Sequence, residues 1–230
     1  MKQPKIVVII PAFNEEKGIG KVIAEIPAGL VSEVVVVDNN SRDGTSAAAR
    51  QAGATVLAEP RQGYGSACLK GLSYCRQMPV PPDVVVFLDA DHSDYPEEMA
   101  LLLKPILEES ADLVIGSRAL GSRERGSMTV PQVFGNWLAT GLLRGLYGVR
   151  FTDLGPFRAV RYAQLVALGM QDTTYGWTVE MQLKAAKLGH NTREVPVRYR
   201  RRIGYSKISG TVKGTVLAGY KILYTIFKYR

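Results

Sequence analysis

Two cysteines, two histidines and two tryptophans in 230 residues leave few means of building a disulfide scaffold or a Cys/His metal cluster. Cys68 and Cys75 lie seven apart in a stretch of helical composition, about two turns from one another and too far for a bridge within a helix. They read as reduced structural thiols. His92 and His190 have no cysteines around them, so zinc is not indicated. No run of 18 apolar residues occurs, which excludes a spanning helix, and the five apolar residues before Pro11 fall short of a signal-peptide core. Glycine-rich nucleotide loops are missing too. Gly18-Ile19-Gly20 and Gly63-Tyr64-Gly65 lack the spacing of the dinucleotide and P-loop fingerprints, which argues against a dehydrogenase or kinase. Gly63 to Gly65 reads instead as a tight turn into a helix.

What is present is ordinary globular composition, 46% hydrophobic and 22% charged, with a formal charge of +8. One large domain of this length, or a domain with a small appendage, buries a sufficient core unaided. The charge is unevenly placed. Residues 193–230 hold ten bases and one acid, leaving nineteen bases and twenty acids to the first 192 residues. A near-neutral body thus carries a basic end, suited to a membrane surface or to phosphorylated substrates. Nucleic acid is not expected, since no recognition motif accompanies the charge.

Val/Ile-rich runs recur at Lys5 to Ile10, Glu33 to Val37, Thr55 to Leu57, Val84 to Leu88 and Leu113 to Ile115, the lengths of buried strands. Helical segments alternate with them: Gly18 to Ile26, Thr45 to Ala52, Ser66 to Arg76 and Pro96 to Glu108. This alternation predicts an α/β fold, a mostly parallel sheet flanked by helices. Beyond it, residues 119–131 read as a mobile surface loop. Pro131 to Leu146 and Trp177 to Leu188 read as helices, and Thr192 to Tyr199 as a strand. From Ser209 onward the apolar spacing is helical, which divides the chain into a main domain at 1–208 and a basic amphipathic C-terminal helix at 209–230.

Ligands of parallel α/β sheets bind at the carboxyl ends of strands. Here those ends carry Asn14-Glu15-Glu16, Asp38, Glu59 and Asp89-Ala90-Asp91, more carboxylates than helix capping requires. The pair Asp89 and Asp91, two apart where a buried strand ends, can converge on a hard cation such as Mg²⁺ or Mn²⁺, which would neutralise a diphosphate.

The strings VVIIPAFNEEKGI, VVVVDNNSRDGT, FLDADHSDYPEE and VIGSR, in that order, resemble the family 2 glycosyltransferases of GT-A fold. The second half is similar to their polyprenyl-phosphate sugar synthases, such as dolichyl-phosphate mannose synthase. It is carried by Thr152-Asp153, Phe157-Arg158-Ala159, WTVEMQLKAAKLG, REVPV and an Arg-rich turn ending in Ser206-Lys207. The resemblance implies that Pro11, Phe13, Asn14, Glu15 and Asp38 hold the base and ribose of a nucleotide-sugar donor, GDP-mannose or a UDP-sugar. It implies that Asp89 and Asp91 bind the diphosphate through Mg²⁺ or Mn²⁺. Arg118, one of Arg201 or Arg202, and Ser206 with Lys207 would face phosphate. Three departures stand out. Asn39 replaces the second of two paired acids, Gly155-Pro156 replaces a serine-glycine, and Ser93 stands where some relatives place a third metal ligand.

The implied reaction moves a hexose to a polyprenyl phosphate with inversion. A phosphate acceptor needs no general base, whereas a soluble hydroxyl acceptor needs a carboxylate, for which Asp153 and Glu180 are candidates. Glu180 also suits a plain helix-face ion pair with Lys184. A non-catalytic nucleotide-binding partner protein is a further alternative. The expected location is cytoplasmic, with peripheral attachment to an anionic membrane surface. Lys213, Lys221 and Lys228 fall within roughly 80° of a helical projection beside Tyr220, Tyr224 and Phe227. That helix can pack either on the domain or on lipid.

Overall fold

The computed structural model describes residues 3–204 and 212–229, and Ser206 and Lys207 lie outside the described residues. The first half alternates as expected: β1 (Ile6–Ala12), α1 (Ile19–Ala24), β2 (Glu33–Asp38), α2 (Thr45–Gln51), β3 (Thr55–Ala58), α3 (Tyr64–Gln77), β4 (Val84–Phe87), α4 (Met99–Glu108) and β5 (Leu113–Ser117). Then follow α5 (Val130–Tyr147), β6 (Arg158–Arg161), α6 (Tyr162–Ala167), α7 (Trp177–Lys187), β7 (Thr192–Pro196) and α8 (Val212–Lys228). The strands form one sheet in the order β3-β2-β1-β4-β6-β5-β7. All neighbours are parallel except at β6, which runs antiparallel to both β4 and β5.

Period-two alternation divides the core. Ile6, Val8 and Ile10 of β1 pack with α1, α2 and α4 on one face, while Val7 and Ile9 pack with α3, α6 and α7 on the other. Covering both faces explains why the strands read as unbroken apolar runs. A third, smaller cluster joins α5, α7 and α8 through Ala139, Leu143, Val179, Leu183 and Ile226. The C-terminal helix therefore packs on the body by one side.

Strand β6 and helix α6 have no counterpart among the expected elements. β6 is four residues long, and its first side chain, Arg158, is wholly buried. The guanidinium donates to the carbonyls of Leu154, Gly155 and Thr178 rather than to a carboxylate, and burial lowers its pKa to about 10. β7 ends at Pro196, three residues early, and Tyr199 makes only isolated bridges to Asp94 and Arg123. Residues 119–129 are irregular but tied down, since Glu124 N–H donates to Tyr199 O and Arg201 N–H donates to the Glu124 carboxylate. A capping box between Thr129 and Gln132 then starts α5.

The segment 171–176 joins distant parts. Its carbonyls at Thr173 and Thr174 accept from the N–H groups of Ser66 and Gly65, which open α3. Only glycine allows that approach. A Cβ on Gly65 would lie 2.0 Å from Asp172 O, and one on Gly63, with φ +145°, would lie 2.1 Å from Thr173 O. Gly65→Ala should therefore cost about 3 kcal/mol in urea unfolding. Gly20→Ala in α1 meets nothing within 4 Å, and should be neutral or stabilise by about 0.5 kcal/mol.

Candidate active site

The carboxyl ends of β1, β2, β4 and β5 open into one cleft of about 590 Å³. Pro11, Phe13 and Glu15 enter from β1, Asn39 from β2, Asp89 and Asp91 from β4 and Arg118 from β5, with Arg202 from the Arg-rich turn. The far wall is made by Gln132, Gly135 and Asn136 of α5 and Ala218, Gly219 and Ile222 of α8. Three of the four described non-glycine residues with left-handed backbone stand at these strand ends: Asn14 (φ 53°), Asn40 (φ 67°) and His92 (φ 65°). Such strained positions persist where surrounding bonds over-determine them.

Asp91 is 3% exposed, and one of its oxygens accepts from Ser93 N–H (2.9 Å) and Ser93 Oγ (2.5 Å). Its other oxygen pairs with Arg202. Backbone bonds bring that arginine in, from Arg200 N–H to Ser93 O and from Ile203 N–H to Asp91 O, both 2.9 Å. The Arg200 guanidinium adds bonds to His92 O and Glu25, and His92 Nε2 lies 2.8 Å from Glu25. Nearby, Asp89 Oδ1 is buried without a hydrogen-bond partner among the described residues. Burial raises the Asp89 carboxyl above its ordinary value against the pull of Arg202.

Arg118 makes a forked pair with Asp153, through Nε and Nη2 at 2.8 and 2.7 Å, and its backbone N–H donates to the same carboxylate at 2.8 Å. Burial alone would lower the Arg118 pKa, but the Asp153 charge outweighs it and the pKa rises. Both Asp153 oxygens are thus engaged. Beside them Asp94, 2% exposed, has neither oxygen hydrogen-bonded among the described residues. Burial and the neighbouring Asp89 push its pKa up to about 8.

Several expected residues are placed elsewhere. Asp38 turns away from the cleft and accepts from Ser41 N–H and Ser46 Oγ, holding the loop after β2. Asn39 takes the cleft position, donating to the carbonyls of Glu59 and Arg61 and accepting from Gly63 N–H. Asn14 braces the same loop by accepting from Arg42 N–H at 2.8 Å. Arg201 points to Arg125 O, so the structure brings Arg202 and not Arg201 to the acids. Glu180 is fully buried outside the cleft lining. It accepts from the N–H groups of Gln171 and Asp172 and from Tyr229 Oη, and pairs with Lys184 at 2.7 Å. Tyr64, Trp177 and Tyr199 line the cleft as well. Tyr64 belongs to the Gly63 to Gly65 turn and Trp177 to the WTVEMQLKAAKLG string, while Tyr199 carried no signal in sequence.

The sequence model of glycosyl transferase family 2 matches residues 7–165. The chain belongs to that family. It is 35% identical over 216 residues to an uncharacterized glycosyltransferase of Mycobacterium tuberculosis, covering 93% of this chain and 94% of that protein. It is 31% identical over 225 residues to an undecaprenyl-phosphate mannosyltransferase of Micrococcus luteus, covering 91% and 90%. Its backbone matches glucosyl-3-phosphoglycerate synthase of M. tuberculosis, solved with Mn²⁺, UDP and phosphoglyceric acid, at TM-score 0.78 and 24% identity, over 98% of this chain and 78% of the other. The GT-A type fold expected from the motifs is thereby shown.

In this family 2 glycosyltransferase the residues after β4 fit a hard divalent cation. Asp89 offers an unpartnered carboxylate oxygen, and Asp91 lies two residues on, fixed by Ser93. Ser93 thus orients a carboxylate in place of adding a third ligand. Two protein carboxylates with diphosphate oxygens and water completing the shell is the usual way of holding Mg²⁺. The Asp94 carboxyl supplies a pH test on metal-free protein. Between its ordinary value of 3.8 and about 8, unfolding releases a proton that the folded state keeps. Wild-type stability should fall as pH rises across that window and level off above it. Asp94→Asn should flatten the slope in thermal melts.

Proposed function

We propose that this glycosyltransferase moves a hexose from a nucleoside diphosphate sugar to a polyprenyl phosphate, with inversion at the anomeric carbon. The observation that carries this reading is that neither candidate base is free. Asp153 is occupied by Arg118, and Glu180 by Lys184, Tyr229 and two backbone N–H groups. A phosphate acceptor needs no such base. Its oxygen, an anion at neutral pH, attacks the anomeric carbon as the bond to the β-phosphate oxygen breaks. The bonding pair leaves with the nucleoside diphosphate, and no proton is transferred. The name of the Micrococcus relative, an undecaprenyl-phosphate mannosyltransferase, supports the same acceptor class.

In this reading Pro11, Phe13, Glu15 and Asn39 seat the nucleoside. Arg202 swings from Asp91 to the diphosphate, and Arg118, held as a cation by Asp153, faces phosphate from the other side. Asp89 and Asp91 would hold a divalent cation, which would supply charge neutralisation for the departing diphosphate. The acceptor in this reading is a membrane lipid, which brings the protein to a membrane; no described helix is long and apolar enough to cross a bilayer.

Radiolabelled transfer from GDP-mannose, UDP-glucose or UDP-N-acetylglucosamine to polyprenyl phosphate should give lipid-linked sugar with Mg²⁺ or Mn²⁺ and none with chelator. No product from any donor would overturn the reading. Arg202→Ala should lower kcat about a hundredfold. Glu180→Gln separates the acceptor classes. If a hydroxyl were the acceptor with Glu180 as its base, turnover would vanish even in the folded fraction. Here the variant should lose stability, by about 3 kcal/mol for a broken buried pair, while the folded fraction keeps its kcat.

A further inference from the structure

Nine of the fifteen large apolar side chains exposed among the described residues lie on α5 and α8. On α5 they are Val130, Val133, Phe134 and Trp137, spaced as a single stripe, with Val130 82% and Trp137 67% exposed. On α8 the stripe is Val216, Tyr220, Tyr224 and Phe227, with Leu217 beside it. Neither stripe is the side that packs. The helices meet each other and α7 through Ala139, Leu143 and Ile226, on the opposite faces. These apolar rows therefore look away from the shared core.

The charge on the two helices selects the partner. Neither contains Asp or Glu. Exposed Arg144 continues the α5 stripe two turns beyond Trp137, and exposed Lys228 adjoins Phe227. Lys221 does not contribute, since it is paired with Asp172 at 3.0 Å. A second copy of this face would bring bases against bases, whereas an anionic bilayer accepts both the cations and the apolar rows. Trp and Tyr beside an apolar stripe suit the headgroup boundary.

We propose that α5 and α8 together seat the protein on an anionic bilayer surface, with Phe134, Trp137, Tyr220 and Phe227 entering the headgroup boundary. Resting on the lipid-phosphate reading, this deepens it. Gly135 on α5 and Ala218 and Gly219 on α8 line the cleft, so a protein seated by these helices opens its cleft beside the lipid that carries the acceptor. The expected basic tail accounts for only half of the surface, and α5 supplies the rest.

The test uses the full chain and phosphatidylcholine vesicles with and without phosphatidylglycerol. Trp177 is 1% exposed, so a fluorescence blue shift on vesicle addition reports Trp137. We expect wild type to pellet with the anionic vesicles and to show that shift. Phe134→Asp with Trp137→Asp, and separately Tyr220→Asp with Phe227→Asp, should each weaken partitioning about tenfold or more. Arg144→Glu should lower the dependence on phosphatidylglycerol. All variants should transfer sugar to a water-soluble short-chain prenyl phosphate at the wild-type rate, which separates docking from chemistry and from misfolding. Docking is overturned if wild type ignores both vesicles, if the α5 pair leaves partitioning unchanged, or if light scattering shows a dimer that the α5 pair dissociates. Loss of vesicle binding in the variants of a protein that transfers to no acceptor would uphold docking and remove the acceptor reading instead.

Discussion

At the end of one strand Asp91 and Asp94 are withdrawn from water and Asp89 buries one carboxylate oxygen beside them, and like charges so placed cannot all stay ionised uncompensated. The surrounding structure answers each differently. Asp91 receives Arg202 and Ser93, Asp94 is held toward its neutral form, and Asp89 keeps one oxygen without a donor. Because Arg202 belongs to a turn more than a hundred residues away, the balance requires that turn to dock. The bonds from Arg200 and Ile203 to the 91–93 backbone are what dock it. The docking of that turn therefore both walls the cleft and neutralises one of its acids.

The parts of the fold legible in the sequence were those whose burial is apolar and local. β1 to β5 appear as Val/Ile runs because both faces of the sheet are covered, and their boundaries move by only a residue or two. β6 was illegible because Arg158 is stabilised by two carbonyls of the preceding loop and one at the start of α7, a pattern invisible to periodicity. The end of β7 was overextended because Val197 and Tyr199 continue an alternating pattern after the ladder has ended.

The site was legible as a set of strand ends, less so as individual atoms. Asp89, Asp91 and Arg118 line the cleft. Asp38 and Asn39 exchange places, since the turn after β2 uses the Asp38 carboxylate to fix Ser41 and Ser46. Glu180 shows one partner in sequence, Lys184 one turn away, while Tyr229 and the 171–172 backbone emerge only from packing. The adjacent arginines 201 and 202 were inseparable until the turn gave each its direction.

The segment 171–176 touches both sides of the cleft. Its carbonyls hold the head of α3, where Gly63 and Tyr64 line one side of the cleft, and its Asp172 grips Lys221 on α8, which lines the other. Glu180 accepts from the N–H groups of Gln171 and Asp172 and so fixes the start of the segment. One short segment thus ties the head of α3 to α8, so the two walls of the cleft share a single buried anchor.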